Sequence, residues 1–594
     1  MDLHSAERVA YFGSLSCSML WRFLAILAAL CFPLAARAEN RVYSPYELAT
    51  IRAELARRSE VLETAPEGKR IAGIEISTLE VFAEDDPVPD FVNIFHTTTR
   101  KRVISRELLF SVGDAFSQRR MDETARNLKS LIQLSVVLLV PVVGREPGTV
   151  RVLVITKDVW SLRPSSNFQV GPEGLTYLLL NPTEWNVGGT HANIGGLFVL
   201  RRSTYSVGGT ASHGRILGSR LAGSVSGSLV FNRETGRSEG SFGSFTYGLP
   251  RYSEKQKWFY GVSLTWDDGL TRVRLRPSTG APEVLLPYHR ERYLDVTSVT
   301  RSFGVREKLE LTLGAEADRR VYRARVSADV DPQLRAYFER NEVPLSDTRI
   351  SPFVQLARFD NRFLKTIELE TLGLQEDFRL GPEVLLKLYP ASTRLGSSRD
   401  MLGVVSGVGY TQRLGDGLAR LNLTSLVEYA KAGRHQAKAT VALRVASPRL
   451  GFGRLIFDGV LENRYQNYLR LKSAVGGDGR LRGYSAADTE ASGSGALRGS
   501  DVLSLNTEFR TRAVDILSAQ CGLAAFYDVG GAAERFPELV LKDSTGLGLR
   551  VLFPQLDRIV FRADWAFPLS TGSHALPGSL FVSFGQAFAM PELG

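Results

Sequence analysis

The feature that most constrains the fold is a series of short segments, between Leu162 and Phe588, in which apolar and polar residues alternate. Alternation with period two is typical of a strand that has one apolar face and one polar face. Each segment is roughly 10 residues long, the length of a strand that crosses a bilayer. The clearest examples are Lys257–Trp266, Leu309–Asp318, Arg420–Tyr429, Leu503–Arg512 and Arg558–Phe567.

Two classes of β protein alternate in this way. A large soluble β protein does so with its polar residues facing water. In a bilayer every backbone group must be hydrogen-bonded, so a membrane-spanning sheet has to close on itself. Here the segments recur along most of the chain, with aromatic residues near their ends. The sequence therefore predicts a mainly β protein, with a transmembrane antiparallel β-barrel of about 16 strands over residues 161–594.

The N-terminus carries an export signal. Arg22 precedes the apolar run 23–30, and Ala36-Arg37-Ala38 supplies small residues at a cleavage site. This pattern is typical of a secretory signal peptide, so residues 1–38 are predicted to be removed. Cys521 is then the single remaining cysteine, and no disulfide framework is expected.

Two further segments precede the barrel. Within residues 39–68, Ser44, Pro45 and Glu47 form the pattern of a capping box and predict a helix. Residues 69–160 alternate between strand and helix patterns in the order β-α-α-β-β. A segment of this length can bury a small core of its own, so we predict an α+β domain ahead of the barrel.

Composition and spacing argue against several function classes. The formal net charge of +10 is spread along 594 residues without a Lys/Arg block, which is not the footprint of a nucleic-acid-binding protein. The seven histidines lack metal-ligand spacing, and no Gly-x-Ser-x-Gly elbow is present. We therefore predict no enzymatic activity, no metal, no cofactor and no nucleic-acid partner.

One glycine-rich segment, Gly476–Tyr484, carries an arginine, Arg482. Taken alone, the segment reads as a flexible surface loop with a solvated arginine. It is not a phosphate-binding loop, because no Gly-Lys-Ser/Thr follows. The meaning of Arg482 depends on the residues around it.

In combination, these features resemble the BamA/TamA-type superfamily, in which POTRA domains precede an outer-membrane barrel. Residues 69–160 are similar to one POTRA domain. Leu481-Arg482-Gly483-Tyr484 is similar to the family's V/I-R-G-F/Y tip, which lies on a long extracellular loop, here residues 471–500. Phe584, Gly585 and Phe588 are similar to the family's closing strand.

The resemblance also implies partners for the arginine. Glu508 and Asp528 match acidic strand positions that family members place against the loop arginine. Period-two alternation puts Glu508 on the lumen face with Asn506 and Arg510. Since an arginine between two carboxylates makes charge-assisted hydrogen bonds, we predict that Arg482 pins loop 471–500 inside the barrel.

The function implied by the resemblance is insertion, assembly or translocation of other proteins at the bacterial outer membrane. The POTRA-like domain would lie in the periplasm, with unfolded outer-membrane or secreted proteins and outer-membrane lipid as partners. A two-partner-type secretion transporter is an alternative. Another is a passive pore, in which lumen arginines select anions: Arg510, Arg512, Arg558 and Arg562.

The chain departs from the family pattern in two respects. It carries one POTRA-like domain where assembly factors have several, which puts the breadth of its clients in doubt. Residues 589–594 follow Phe588, so the usual terminal aromatic residue is not terminal.

Overall fold

The computed structural model describes residues 43–81, 97–171, 174–275, 282–477, 480–484, 497–570, 578–586, 588 and 593. The predicted signal peptide lies outside the described residues. Within the described ranges, no helix is long and apolar enough to cross a membrane.

The N-terminal part is a small α+β unit. It contains α1 (Pro45–Arg58), β1 (Arg70–Leu79), α2 (Lys101–Glu107), α3 (Gln118–Lys129), β2 (Leu134–Val143) and β3 (Thr149–Asp158). The strands form one sheet in the order β1-β3-β2, with β1 parallel to β3. The predicted β-α-α-β-β order is confirmed, and so is the capping box of Ser44 and Glu47.

Helices cover both faces of this sheet. Nearly every residue of β2 and β3 is buried, because these strands are apolar on both sides. On one face the sheet packs against Ile104 of α2 and Leu128 of α3. On the other it packs against Ile51 of α1. Helix α1 therefore shares the core of the α+β unit.

The remainder forms a closed antiparallel β-barrel, from β4 to β27. Its elements are β4 (Leu162–Gly171), β5 (Gly174–Val187), β6 (Ala192–Leu200), β7 (Thr204–His213), β8 (Ala222–Asn232), β9 (Ser238–Leu249), β10 (Trp258–Leu275), β11 (Val284–Phe303), β12 (Glu307–Ala324), β13 (Asp347–Asp360), β14 (Arg362–Ile367), β15 (Gln375–Ala391), β16 (Met401–Leu414), β17 (Gly417–Ala430), β18 (Gln436–Ala446), β19 (Gly453–Asn467), β22 (Asp501–Thr511), β23 (Val514–Ile516), β24 (Ala519–Ala533), β25 (Lys542–Leu552), β26 (Phe561–Pro568) and β27 (Ser579–Phe584). Two long loops carry structure of their own: α4 (Pro332–Asn341), and the ribbon of β20 (Ser473–Ala474) and β21 (Arg498–Gly499).

The closed antiparallel barrel is confirmed, but the predicted count of about 16 strands is wrong. Since β14 continues β13 and β23 continues β22, the described residues form 20 strands. Sequence alternation misses strands whose polar face carries serine, threonine or glycine instead of charges. In β7 and β8, for example, the contrast between the two faces is faint.

The two faces of the barrel wall differ as a membrane barrel requires. Exposed apolar side chains point outward, among them Val225, Leu229, Leu313 and Leu423. An apolar exterior matches a hydrocarbon environment. The predicted closing strand is shorter than expected: β27 ends at Phe584, because Gly585 takes a φ of +102° and turns the chain away.

The α+β unit docks across the end of the barrel from which β4 starts, the predicted periplasmic end. It grips turns between neighbouring strands through ion pairs: Glu107–Arg215 at 2.5 Å, Arg126–Glu254 at 2.9 Å and Lys129–Asp377 at 3.0 Å. On the far side of the mouth, the Trp160 backbone N–H donates to the Gln555 carbonyl at 2.7 Å. The unit therefore covers this opening.

His191 lies buried in this docking surface, in the turn between β5 and β6. Its Nε2 is 3.0 Å from Thr99 Oγ1, and its backbone N–H donates to Asn186 Oδ1 at 3.0 Å. Burial lowers the pKa of His191 from 6.5 to about 4, although Asp158 and Glu107 act in the opposite direction. The docked state therefore keeps His191 neutral.

We predict that mild acid loosens the docked unit. Because the pKa of His191 is depressed, its neutral form stabilises docking fully above about pH 6.5, and the stability falls as pH drops towards 4. The loss reaches about 3 kcal/mol at most. Hydrogen exchange of residues 97–107 in the intact protein measures it. His191→Gln should flatten the profile between these values, whereas His435→Gln, at the opposite end of the barrel, should not. An unchanged profile in His191→Gln would contradict this account.

Candidate functional site

The long loop between β19 and β22 enters the barrel. Its base is the two-stranded ribbon β20–β21. Its tip is a small hairpin, in which the Gly477 backbone N–H donates to the Tyr484 carbonyl at 2.7 Å. This hairpin presents Arg482, which is completely buried.

Arg482 binds both of the carboxylates that the sequence predicted. Its Nε and Nη2 donate to the two oxygens of Asp528 at 2.8 and 2.9 Å, a bidentate pair. Its backbone N–H also donates to Asp528, at 3.2 Å, and its Nη1 donates to Glu508 Oε2 at 2.9 Å. Charge-assisted bonds of this geometry are among the strongest hydrogen bonds in proteins.

A third carboxylate, Asp564 of β26, completes the set. Arg482 Nη1 donates to Asp564 Oδ2 at 2.9 Å. The alternation of β26 assigns Asp564 to the lumen face, beside Arg562. That signal was present in the sequence, but it does not reveal that strands β22, β24 and β26 all converge on one arginine.

Further arginines balance the three carboxylates. Glu508 Oε1 accepts from Arg510 at 2.7 Å and from Arg550 at 3.0 Å. Asp564 accepts from Arg550 at 2.5 Å and from Arg562 at 3.3 Å. We call this group the Arg482 cluster: Arg482, Glu508, Arg510, Asp528, Arg550, Arg562 and Asp564. It places four guanidinium groups against three carboxylates, so every buried carboxylate has a charged partner.

Two aromatic rings lie against the guanidinium of Arg482. The ring centroid of Phe526 lies 3.4 Å from its central carbon, and that of Phe588 lies 4.8 Å away. Such stacking stabilises a desolvated cation. Phe588, predicted to lie in the closing strand, therefore sits inside the lumen instead, where its carbonyl also accepts a hydrogen bond from Arg444.

The remaining residues of the Leu481–Tyr484 motif fix the hairpin in place. Gly483 has a φ of +96°, and a Cβ there would stand 3.1 Å from Ser544 Cβ and 3.2 Å from the Pro568 nitrogen. Leu481 packs in a small apolar cluster with Tyr484, whose hydroxyl donates to the Asp543 carbonyl at 3.1 Å. Glycine at this position allows the loop to lie directly on the barrel wall.

A second segment folds inward from the opposite end of the barrel. The turn of residues 368–374, here called the inner turn, joins β14 to β15. The Glu376 carboxylate holds it by accepting the backbone N–H groups of Leu369, Glu370 and Thr371 at 3.1, 2.8 and 2.9 Å. Leu372 and Leu374 reach Leu552 and Val560 on the β25–β26 side of the lumen.

Arg510 joins the two inward segments. Its Nε bonds to Glu508, which also binds Arg482, and its Nη1 donates to the Leu369 carbonyl at 2.7 Å. The loop that enters from one end and the inner turn that enters from the other are therefore linked through two side chains of β22, Glu508 and Arg510. Moving either segment disturbs the hydrogen bonds of the other.

Three of the four arginines considered for anion selection are engaged internally. Arg510 and Arg562 belong to the Arg482 cluster, and Arg558 donates to the Gln375 carbonyl at 3.1 Å. Arg512 is exposed. Within the described ranges, no group of three or more His, Cys, Asp or Glu residues has the geometry to hold a metal ion.

A scan against protein-family models and a search of curated proteins found no match. Among solved structures, the chain is similar to CdiB from Escherichia coli, with a TM-score of 0.46 and 11% identity over 91% of this chain and 83% of that chain. It is also similar to CdiB from Acinetobacter baumannii, with a TM-score of 0.38 and 13% identity over 90% and 80%.

A further likeness is to BamA from Haemophilus ducreyi lacking POTRA domains 1–3, with a TM-score of 0.31 and 13% identity over 88% of this chain and 85% of that chain. At these identities and TM-scores, the likenesses carry no argument about function.

We predict that Arg482→Met releases the loop. The change removes the one ion-pair partner that Asp528 has among the described residues, and leaves this buried carboxylate uncompensated at a cost on the order of 3–5 kcal/mol. Protease cleavage within residues 471–500 should then rise sharply in the folded barrel.

The matched control is Arg470→Met at the base of the same loop; among the described residues, the side chain of Arg470 bonds only the carbonyl of the exposed Glu339. It should retain the protection of the unaltered protein. Equal cleavage of the Arg482→Met variant and the unaltered protein would show that the cluster does not hold the loop.

Proposed function

We propose that this chain is an outer-membrane protein of the BamA/TamA type that mediates insertion, assembly or translocation of other proteins. The observation that carries the proposal is the buried contact of Arg482 with Glu508 and Asp528, since these are the partners that the motif resemblance implies. It works on unfolded outer-membrane or secreted proteins, in contact with outer-membrane lipid, without enzymatic chemistry of its own.

The α+β unit serves as a periplasmic POTRA-like receptor for clients. In its sheet, β1 is an edge strand whose beginning is already paired: the Ile71 N–H donates to the Asp114 carbonyl at 2.8 Å, and the Gly113 N–H donates to the Ile71 carbonyl at 2.9 Å. The backbone of residues 72–79 pairs on this side with no strand among the described residues, so it can accept an added strand. The opposite edge is partly occupied, because the backbones of Val61 and Glu63 bond to Val143 and Pro141 at the end of β2. Residues 72–79 of β1 are the candidate site for β-augmentation by a client.

The junction of the first and last barrel strands supports an insertion role. Strand β27 pairs with β4 through only three residue pairs, the central one being Phe581 with Gln169. By contrast, β10 and β11 pair along Trp258–Leu275. A short ladder opens at lower cost and exposes strand edges that can template a new strand.

The alternatives differ in the route that a cargo takes. In a two-partner-type transporter a secreted protein passes through the lumen, whereas in a passive pore small solutes do. The pore alternative loses support from its arginines, because three of the four are bonded inside the protein. The export alternative gains support from the part of the lumen beside Ser226, Thr246 and Thr265, which the described residues leave open.

We predict that a disulfide across the β4–β27 junction abolishes assembly activity. Phe168→Cys with Val582→Cys, in a Cys521→Ser background, joins directly paired positions of these strands. Reductant should restore activity. The matched control, Ala563→Cys with Val582→Cys, staples β26 to β27 and should leave activity intact. Full activity of the oxidised β4–β27 variant would exclude lateral opening.

Depletion of the protein, followed by quantification of outer-membrane and secreted proteins, tests the function itself. A general loss of barrel proteins indicates assembly, and loss of one secreted protein indicates export. Rescue should fail with Arg482→Met and succeed with Arg470→Met. An unchanged protein inventory would contradict the proposal and favour the pore.

A further inference from the structure

The two halves of the lumen wall differ in exposure. On β22, β24 and β25 the inward side chains are buried under the long loop, as Asn506, Asp528 and Ser544 illustrate. On β8, β9 and β10 several inward side chains are open: Thr246 and Thr265 are exposed and Ser226 is partly exposed, whereas Ser228, further along β8, is buried. Part of the lumen, along one wall, is therefore left open by the residues that the structure describes.

That open wall carries two continuous rows of hydroxyl groups. Strand register aligns the first row, Thr210, Ser226, Ser244 and Thr265, across β7 to β10. It aligns the second row as Ser212, Ser224, Thr246 and Ser263. We call these two rows the hydroxyl wall. Their orientation follows from the alternate residues, such as Val225 and Phe245, which are exposed on the apolar outer face.

Cavities mark the two ends of this wall. A cavity of about 490 Å³ lies at the periplasmic end and is lined by the second row. A cavity of about 380 Å³ lies at the other end, where Thr204 and Arg290 face Ala474 and Arg498 at the base of the long loop. Both cavities border inward positions of the same strands, so they lie along one line through the barrel.

The side chains of the hydroxyl wall suit a surface along which a polypeptide moves, not one that binds it tightly. Its hydroxyl groups bond to each other, with Ser224 to Thr246 at 2.7 Å and Ser226 to Ser244 at 2.9 Å. The rows carry no charge and no large apolar side chain. An unfolded client presents charged, polar and apolar side chains in turn, and such a surface neither holds nor repels any of them.

The docked α+β unit contacts the turns at the periplasmic end of the hydroxyl wall. The turn between β7 and β8 is held by Glu107, which binds Arg215 and Arg220 at 2.5 and 3.0 Å. The turn between β9 and β10 is held through Glu254, which binds Arg126 at 2.9 Å. These are the periplasmic ends of the strands that form the hydroxyl wall. The unit thus lies where a client would enter.

We propose that an unfolded polypeptide crosses the barrel in an extended form along the hydroxyl wall, while the Arg482 cluster stays intact as the opposite side of the passage. This inference rests on the proposed function. Among insertion, assembly and translocation, it concerns translocation of a client through the lumen. Release of the α+β unit opens the passage, without breaking the buried ion pairs of the cluster.

Thiol labelling in proteoliposomes tests the proposal. Single-cysteine variants Ser226→Cys and Ser244→Cys, in a Cys521→Ser background, are exposed to a small charged maleimide and to an unstructured Gly/Ser/Lys peptide that carries a maleimide. Both positions should react with both reagents at least about tenfold faster than Ala524→Cys, because a buried thiol reacts only after local opening. Ala524 points inward but is buried on the loop side of the lumen.

Val225→Cys, on the outer face of the same strand, controls for lipid-facing reactivity and should stay unlabelled. Glu107→Gln, which loosens the entrance, should speed peptide labelling of Ser226→Cys. The heat-dependent shift in gel mobility of a folded barrel identifies variants that fail to fold. If one of the two variants Ser226→Cys and Ser244→Cys fails to fold, the other still tests the proposal.

Three results would contradict the proposed route along the hydroxyl wall. Labelling by the small reagent alone would mean that the wall passes solutes but not polypeptide. Peptide labelling that requires Arg482→Met would mean that the cluster must open. No labelling of either wall position would mean that the lumen is closed there. In each case, a general loss of barrel proteins on depletion would still support the proposed function through the β4–β27 junction, so the two failures are distinguishable.

Discussion

The buried charge balance around Arg482 is the interaction on which the interior of this barrel depends. A guanidinium that is removed from water is stabilised only if several anions surround it at hydrogen-bond distance. Here Glu508, Asp528 and Asp564 supply those contacts. If Arg482 withdrew, Glu508 and Asp564 would keep other arginine partners, but Asp528 would be left buried without an ion-pair partner among the described residues. The loop and the barrel wall therefore require each other.

The barrel wall beside the Arg482 cluster leaves space for this loop. Strand β25 lies between the two aspartate-bearing strands and faces the cluster with glycine: a Cβ on Gly548 would stand 2.1 Å from Asp564 Oδ1 and 2.4 Å from Arg550 Nη1. Through Arg510 the same network reaches the inner turn. The interlocked half of the lumen is thereby rigid, and the hydroxyl wall is left as the half through which material can move.

The sequence predicted the chemistry of the site better than its extent. Alternation alone put Glu508 on the lumen face, and the motif resemblance paired Glu508 and Asp528 with Arg482. Asp564 was on the correct face, but its convergence depends on register across β22 to β26, which no local pattern contains. Phe588 matched an aromatic closing strand, yet the positive φ of Gly585 turns it into the lumen. The four additional strands escaped notice because serine and glycine weaken the alternation that reveals a strand.

Hydrogen exchange at the loop tip, in the unaltered protein in lipid, tests the central claim most directly. The Arg482 N–H donates to Asp528 at 3.2 Å and the Gly477 N–H to the Tyr484 carbonyl at 2.7 Å. If the cluster holds the loop in the lumen, both amides should exchange at least about a thousandfold more slowly than in an unstructured peptide, equivalent to roughly 4 kcal/mol. Exchange within about tenfold of the peptide rate would contradict the account, because a loop held by these bonds cannot open that readily.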